Sequence, residues 1–85
     1  MKTKKLSDLA LGEEGVVCDV QAEPEVADQW LELGLGLGEI VSMEGRSPFG
    51  DPIVVGLMNY RLSLRKRDAE KILLRDVQTK SMGRE

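Results

Sequence analysis

The 85 residues predict a mainly β fold, a small and strongly bent β-barrel with one inserted helix and a short helical turn before the last strand. Three observations point to it. Extended runs recur at residues 16–20, rich in β-branched residues, and at 40–47 and 53–58. Turn residues punctuate the intervals between them, most densely in Ser47-Pro48-Phe49-Gly50-Asp51-Pro52. Only residues 24–33 carry clear helical spacing. A chain this short buries roughly 60–65% of the surface that its unfolded form exposes, which supports a single core. The expected domain is residues 1–77, with a polar tail at 78–85 that lacks any period.

Residues 6–9 read as one short turn, with the Ser7 hydroxyl available to cap it. Gly15 then opens the first strand, where Val16, Cys18 and Val20 share parity, so Cys18 is expected in the core. Pro24 suits the first turn of a helix, where its missing N–H goes unused, and Glu23, Glu25 and Asp28 place negative charge near the positive end of the helix dipole. Val26, Trp30, Leu31 and Leu33 form the helix's apolar side, with Trp30 as the plug that docks it, and Gly34 is the left-handed stop.

The second and third strands are joined through residues 47–52, where prolines and glycine exclude regular pairing and the loop projects. Asn59 is expected at positive φ in the next turn. After it Tyr60, Leu62 and Leu64 face inward while Arg61, Ser63 and Arg65 face solvent. A helical turn at 68–71 with Ala69, Ile72 and Leu73 on one side leads to a last strand at 73–77.

Composition restricts function. Hydrophobic residues make up 41% and charged residues 32%, as in ordinary soluble globular proteins. The net charge of −3 argues against nonspecific nucleic-acid binding, which relies on neutralising phosphates, and leaves room for a local basic patch. No apolar run approaches the roughly 18–20 residues of a membrane span. The basic start, Met1 to Lys5, is followed by Leu6-Ser7-Asp8-Leu9 and not by a signal core, and the lone Cys18 suits a reducing compartment, so a cytoplasmic location is expected.

The absence of histidine removes the commonest general base, and no nucleophilic triad can be assembled. Gly34-Leu35-Gly36-Leu37-Gly38 lacks the terminal Gly-Lys-Ser/Thr of a phosphate loop and follows a helix, so it reads as a helix stop and turn. Carboxylates alone would make a weak ferrous iron site. No catalytic residue, cofactor or metal ligand is expected.

Leu31 to Gly38, followed by Ser47 to Pro52 and by Tyr60-Arg61-Leu62-Ser63-Leu64-Arg65, resembles the FeoA proteins in order and spacing. Leu6-Ser7-Asp8-Leu9 with Gly12 and Gly15 fits the same pattern, and the resemblance runs from about residue 6 to residue 72. Two departures stand out. Gly36-Leu37 occupies a place where the family often has a residue followed by proline, and Arg67 a place where a capping Ser, Asp or Glu is common.

The resemblance implies an SH3-like barrel without catalysis of its own. It implies a cytoplasmic accessory protein of bacterial ferrous iron uptake, acting on the membrane transporter FeoB through its cytoplasmic GTPase region. The alternative is an SH3-like regulatory domain related to that of iron-dependent transcriptional repressors. The expected partner surface comprises Leu35 and Leu37, the loop Phe49, Gly50, Asp51 and Pro52, and the outward Arg61 and Arg65, with apolar anchors and arginines that steer an acidic partner.

Overall fold

The computed structural model describes residues 2–80. Its elements run β1 (Lys4–Lys5), a 3-10 turn (Leu6–Asp8), β2 (Glu13–Val20), α1 (Pro24–Glu32), β3 (Ile40–Arg46), β4 (Ile53–Gly56), β5 (Arg61–Leu64), α2 (Lys66–Ala69) and β6 (Ile72–Thr79). The strands form one 6-stranded sheet in the order β1-β6-β2-β3-β4-β5, with every pair antiparallel. Consecutive hairpins build β3, β4 and β5, while β6 returns between β1 and β2. The expected mainly β fold with an inserted helix is present, with the two-residue β1 as an added strand.

The core joins both faces of the chain's apolar pattern. Leu6, Leu9, Val17, Val41, Met43, Ile53, Val55, Ile72 and Leu74 are essentially sealed, and Trp30 from α1 joins them at 7% exposure. Trp30 is thus the helix plug that the spacing predicted. Gly34 stops the helix at φ +98°, with its N–H bonded to the Leu31 carbonyl.

Several local expectations are corrected. Cys18 is half-buried, not core, and its thiol lies 3.4 Å from the Leu73 carbonyl. The β2–β6 ladder shifts register between Glu14 and Val16 and again between Val17 and Asp19, so strict alternation fails there and Val17 takes the inward place. Ser7 does not cap the 3-10 turn: it lies inside it, buried, and Lys5 holds the cap position without a side-chain bond. The turn's carbonyls are satisfied from a distance by Arg46, whose Nη2 donates to Leu9 O at 2.5 Å and to Ser7 O at 3.4 Å.

Asn59 does not take positive φ, a conformation that Asp76 alone adopts among described non-glycine residues. The β4–β5 turn closes instead through Leu57 N–H to Tyr60 O. The inward set is graded: Leu64 is buried, Leu62 half-buried and Tyr60 47% exposed, its hydroxyl donating to the Leu33 carbonyl. The short helix begins at Lys66, before the expected 68–71. The last strand continues past 77, with Gln78 and Thr79 paired to Glu14 and Glu13. Of the expected tail, residues 81–85 lie outside the described residues.

Candidate functional site

The loop after β3 is a tied structure. Ser47 N–H donates to Pro52 O at 3.1 Å, and Gly50 N–H to Ser47 O at 2.9 Å. The Ser47 hydroxyl donates to Asp51 O at 2.6 Å and accepts from Asp51 N–H at 2.9 Å. Asp51 then reaches out of the loop, and its Oδ1 accepts the Lys66 backbone N–H at 2.9 Å. This fills the N-terminal vacancy of α2, which no local side chain caps. Gly50 supplies the φ of +84° that the turn requires, and the Asp51–Pro52 peptide is cis.

This scaffold holds Phe49 96% exposed at the loop tip. A fixed backbone carrying a bare aromatic ring loses little conformational freedom when the ring is buried by a partner, which favours binding. Because Asp51 docks on Lys66, the loop sits beside the start of α2, and Arg65, Lys66 and Arg67 are all exposed there. None of the three makes an ion pair among the described residues.

The expected surface is divided by the structure. Leu35 is fully buried and belongs to the core, because α1 ends in a turn that feeds Leu35 N–H back to Trp30 O at 2.9 Å and carries its side chain inward. Leu37 is 68% exposed. It precedes β3, whereas Phe49 follows it, and β3 at about 3.3 Å per residue puts roughly 20 Å of strand between the two loops. Arg61 aligns with Gly56 and Ser42 at the Leu37 end, and it pairs with Glu44 at 3.5 Å. Arg65 lies just beyond the Leu64–Ile53–Arg46 register at the Phe49 end. Phe49, Gly50, Asp51, Pro52 and Arg65 therefore form one cluster, while Leu37 and Arg61 belong to the other end of the sheet.

Glu44 gathers the polar groups of that other end. It accepts from the Ser42 hydroxyl at 2.7 Å and lies 3.4 Å from Lys80 Nζ. The Ser42 hydrogen bond foremost, with the Lys80 and Arg61 charges, holds its carboxyl below the usual glutamate range despite partial desolvation. Glu13 is lowered likewise, chiefly by the Ala10 backbone N–H and then by Lys4. Among the described residues no three metal-ligating side chains come together.

Sequence reasoning missed two elements. Ser47 is the latch of the loop, and the signal was its spacing of four from Asp51, with a proline beside each. The second is Leu31, assigned to the helix's apolar side but 59% exposed. Leu33, assigned to the same side, is also exposed at 40%, so of the four only Trp30 is buried, with Val26 half-buried beside the core.

The FeoA domain model matches residues 4–76. An Fe(2+) transport protein A/Fe(2+) transporter FeoB fusion protein of Porphyromonas gingivalis is 32% identical over 68 residues, 80% of this chain, and this chain spans only 8% of that protein's length. The solution structure of FeoA from Chlorobium tepidum is similar at TM-score 0.77 and 35% identity, covering 92% of this chain and 71% of that one. FeoA of Stenotrophomonas maltophilia, complexed with zinc and described as a procaryotic SH3 domain protein, is similar at TM-score 0.77 and 30% identity, over 95% of this chain and 100% of that one. A manganese-dependent transcriptional repressor shares the fold at TM-score 0.75 but only 20% identity, over 87% of this chain and 36% of that one.

Proposed function

The chain belongs to the FeoA domain family, SH3-like and linked to ferrous iron transport, and from that membership we propose that it is a non-catalytic cytoplasmic accessory module. It docks on the cytoplasmic GTPase region of a FeoB-type transporter and regulates it by protein–protein contact. Covalent fusion of the same module to a FeoB transporter in the Porphyromonas gingivalis protein supports association, because a fused pair works at high effective concentration.

The observation that carries the docking surface is Phe49, bare on a tied loop and flanked by the exposed Arg65, Lys66 and Arg67. An apolar anchor with a cationic rim fits a partner pocket with an acidic edge. The fold alone does not choose a function, and likeness to the repressor extends no further than the fold.

Binding kinetics against the transporter's soluble GTPase domain test the reading. Phe49→Ala should raise the dissociation rate at least about tenfold, as loss of a central anchor does. Unchanged kinetics would remove Phe49 from the interface.

A further inference from the structure

A groove of about 270 Å³ lies between α1 and the turn that follows it, lined by Val20, Ala27, Leu31, Leu35 and Leu37, with Asp19 and Asp28 at its edge. Leu35 forms its buried floor. Leu31 and Leu37 stand exposed at 59% and 68%. Gly36 keeps the walls together: a Cβ there would strike the Leu31 side chain, so the leucine lies directly over the turn's backbone. At this size the groove falls below the roughly 300–1,000 Å³ of sites that bury a drug-sized molecule, and it suits one or two aliphatic side chains.

Its electrostatics name the occupant. From Glu13 to Gly45 every charged residue is acidic. Asp19, Glu23, Glu25, Asp28 and Glu32 make no ion pair among the described residues. Asp19 and Asp28, the charged residues in the groove's lining, disfavour an anionic membrane or a nucleic acid. We infer that this groove is a docking site for a segment of another protein that presents a leucine-type side chain flanked by lysine or arginine, in the manner of a cationic amphipathic helix laid in a groove. The site lies on α1, at the Leu37 end of the molecule, and stands whether or not Phe49 engages a transporter.

The test titrates the labelled full chain with a synthetic amphipathic helix of leucine and lysine, and with its leucine and glutamate counterpart, while following backbone amide shifts. Saturable shifts should concentrate at Val20, Ala27, Leu31 and Leu37, and the glutamate peptide should bind at least about tenfold more weakly. Leu37→Ser, a change at an exposed position, should weaken the lysine peptide about tenfold. The pair Asp19→Asn and Asp28→Asn should weaken it about fivefold at low salt and less at high salt. Equal binding of both peptides, shifts centred on another face, or full affinity in Leu37→Ser would each overturn the inference.

Discussion

The carboxylate of Asp51 caps a helix fifteen residues away, accepting the Lys66 backbone N–H at 2.9 Å. The same residue is gripped on both its N–H and its carbonyl by the Ser47 hydroxyl. One side chain therefore joins the β3–β4 loop to α2 and fixes where Phe49 stands relative to Arg65. Asp51→Ala should destabilise the domain by about 0.5–2 kcal/mol, as loss of an N-cap does. At about 4–8 °C per kcal/mol for a domain this small, the loss is measurable as a lowered Tm. An unchanged Tm would show that α2 does not depend on this cap.

Leu35 and Leu37 are two residues apart and separate cleanly by environment. Leu35→Ala deletes sealed core volume and should cost about 2–5 kcal/mol. Leu37→Ala, at 68% exposure, should stay within about 0.5 kcal/mol of wild type. Urea denaturation of the two variants checks the contrast, and similar losses would contradict it.

That pair also shows how far the sequence could be read. The helix, its glycine stop, the projecting loop and the outward arginines follow from local rules of propensity, capping and alternation. Leu35 does not, because glycine on either side marks a turn without saying which way the turn folds, and only the return hydrogen bond to Trp30 sends it inward. The half-buried place of Cys18 escapes local rules for a related reason: a register shift is set by the partner strand β6, which parity within β2 does not reveal. The split of the expected surface likewise depends on the length of β3, which puts Leu37 and Phe49 at its opposite ends.

Trp30 carries much of the docking of α1. With 7% of the residue exposed, Trp30→Ala should cost about 3–5 kcal/mol, a large share of what so small a domain possesses. Calorimetry should show a severe loss of Tm. Near-wild-type melting would place the indole outside the core.

Glu44 makes stability depend on acid. Its carboxyl is held below the ordinary value of 4.5 in the folded protein, so its contribution is complete above that value and is lost as pH falls through the lower, folded one. Comparing wild type with Glu44→Gln in urea from about pH 6 to pH 3, the stability difference should shrink with acidification. A difference that stays constant across the range would mean that Glu44 has no linked charge.

The Phe49 surface is charged as well as apolar, and its two contributions should differ in kind. Arg65→Glu, which breaks no described ion pair, should slow association with the transporter's GTPase domain most at low salt, since exposed charges are screened beyond roughly 8 Å at physiological ionic strength. Arg61→Glu is the less informative variant because it also breaks the contact with Glu44. An association rate insensitive to both Arg65→Glu and salt would exclude electrostatic steering by this end.

The most direct measurement is a titration of the isotope-labelled chain with the soluble GTPase domain of the FeoB-type transporter from the same organism, followed by backbone amide shifts. Docking as proposed predicts saturable shifts at residues 47–52 and 65–67 that weaken in Phe49→Ala. Shifts absent at saturating partner concentration, or identical in the Phe49→Ala variant, would contradict it.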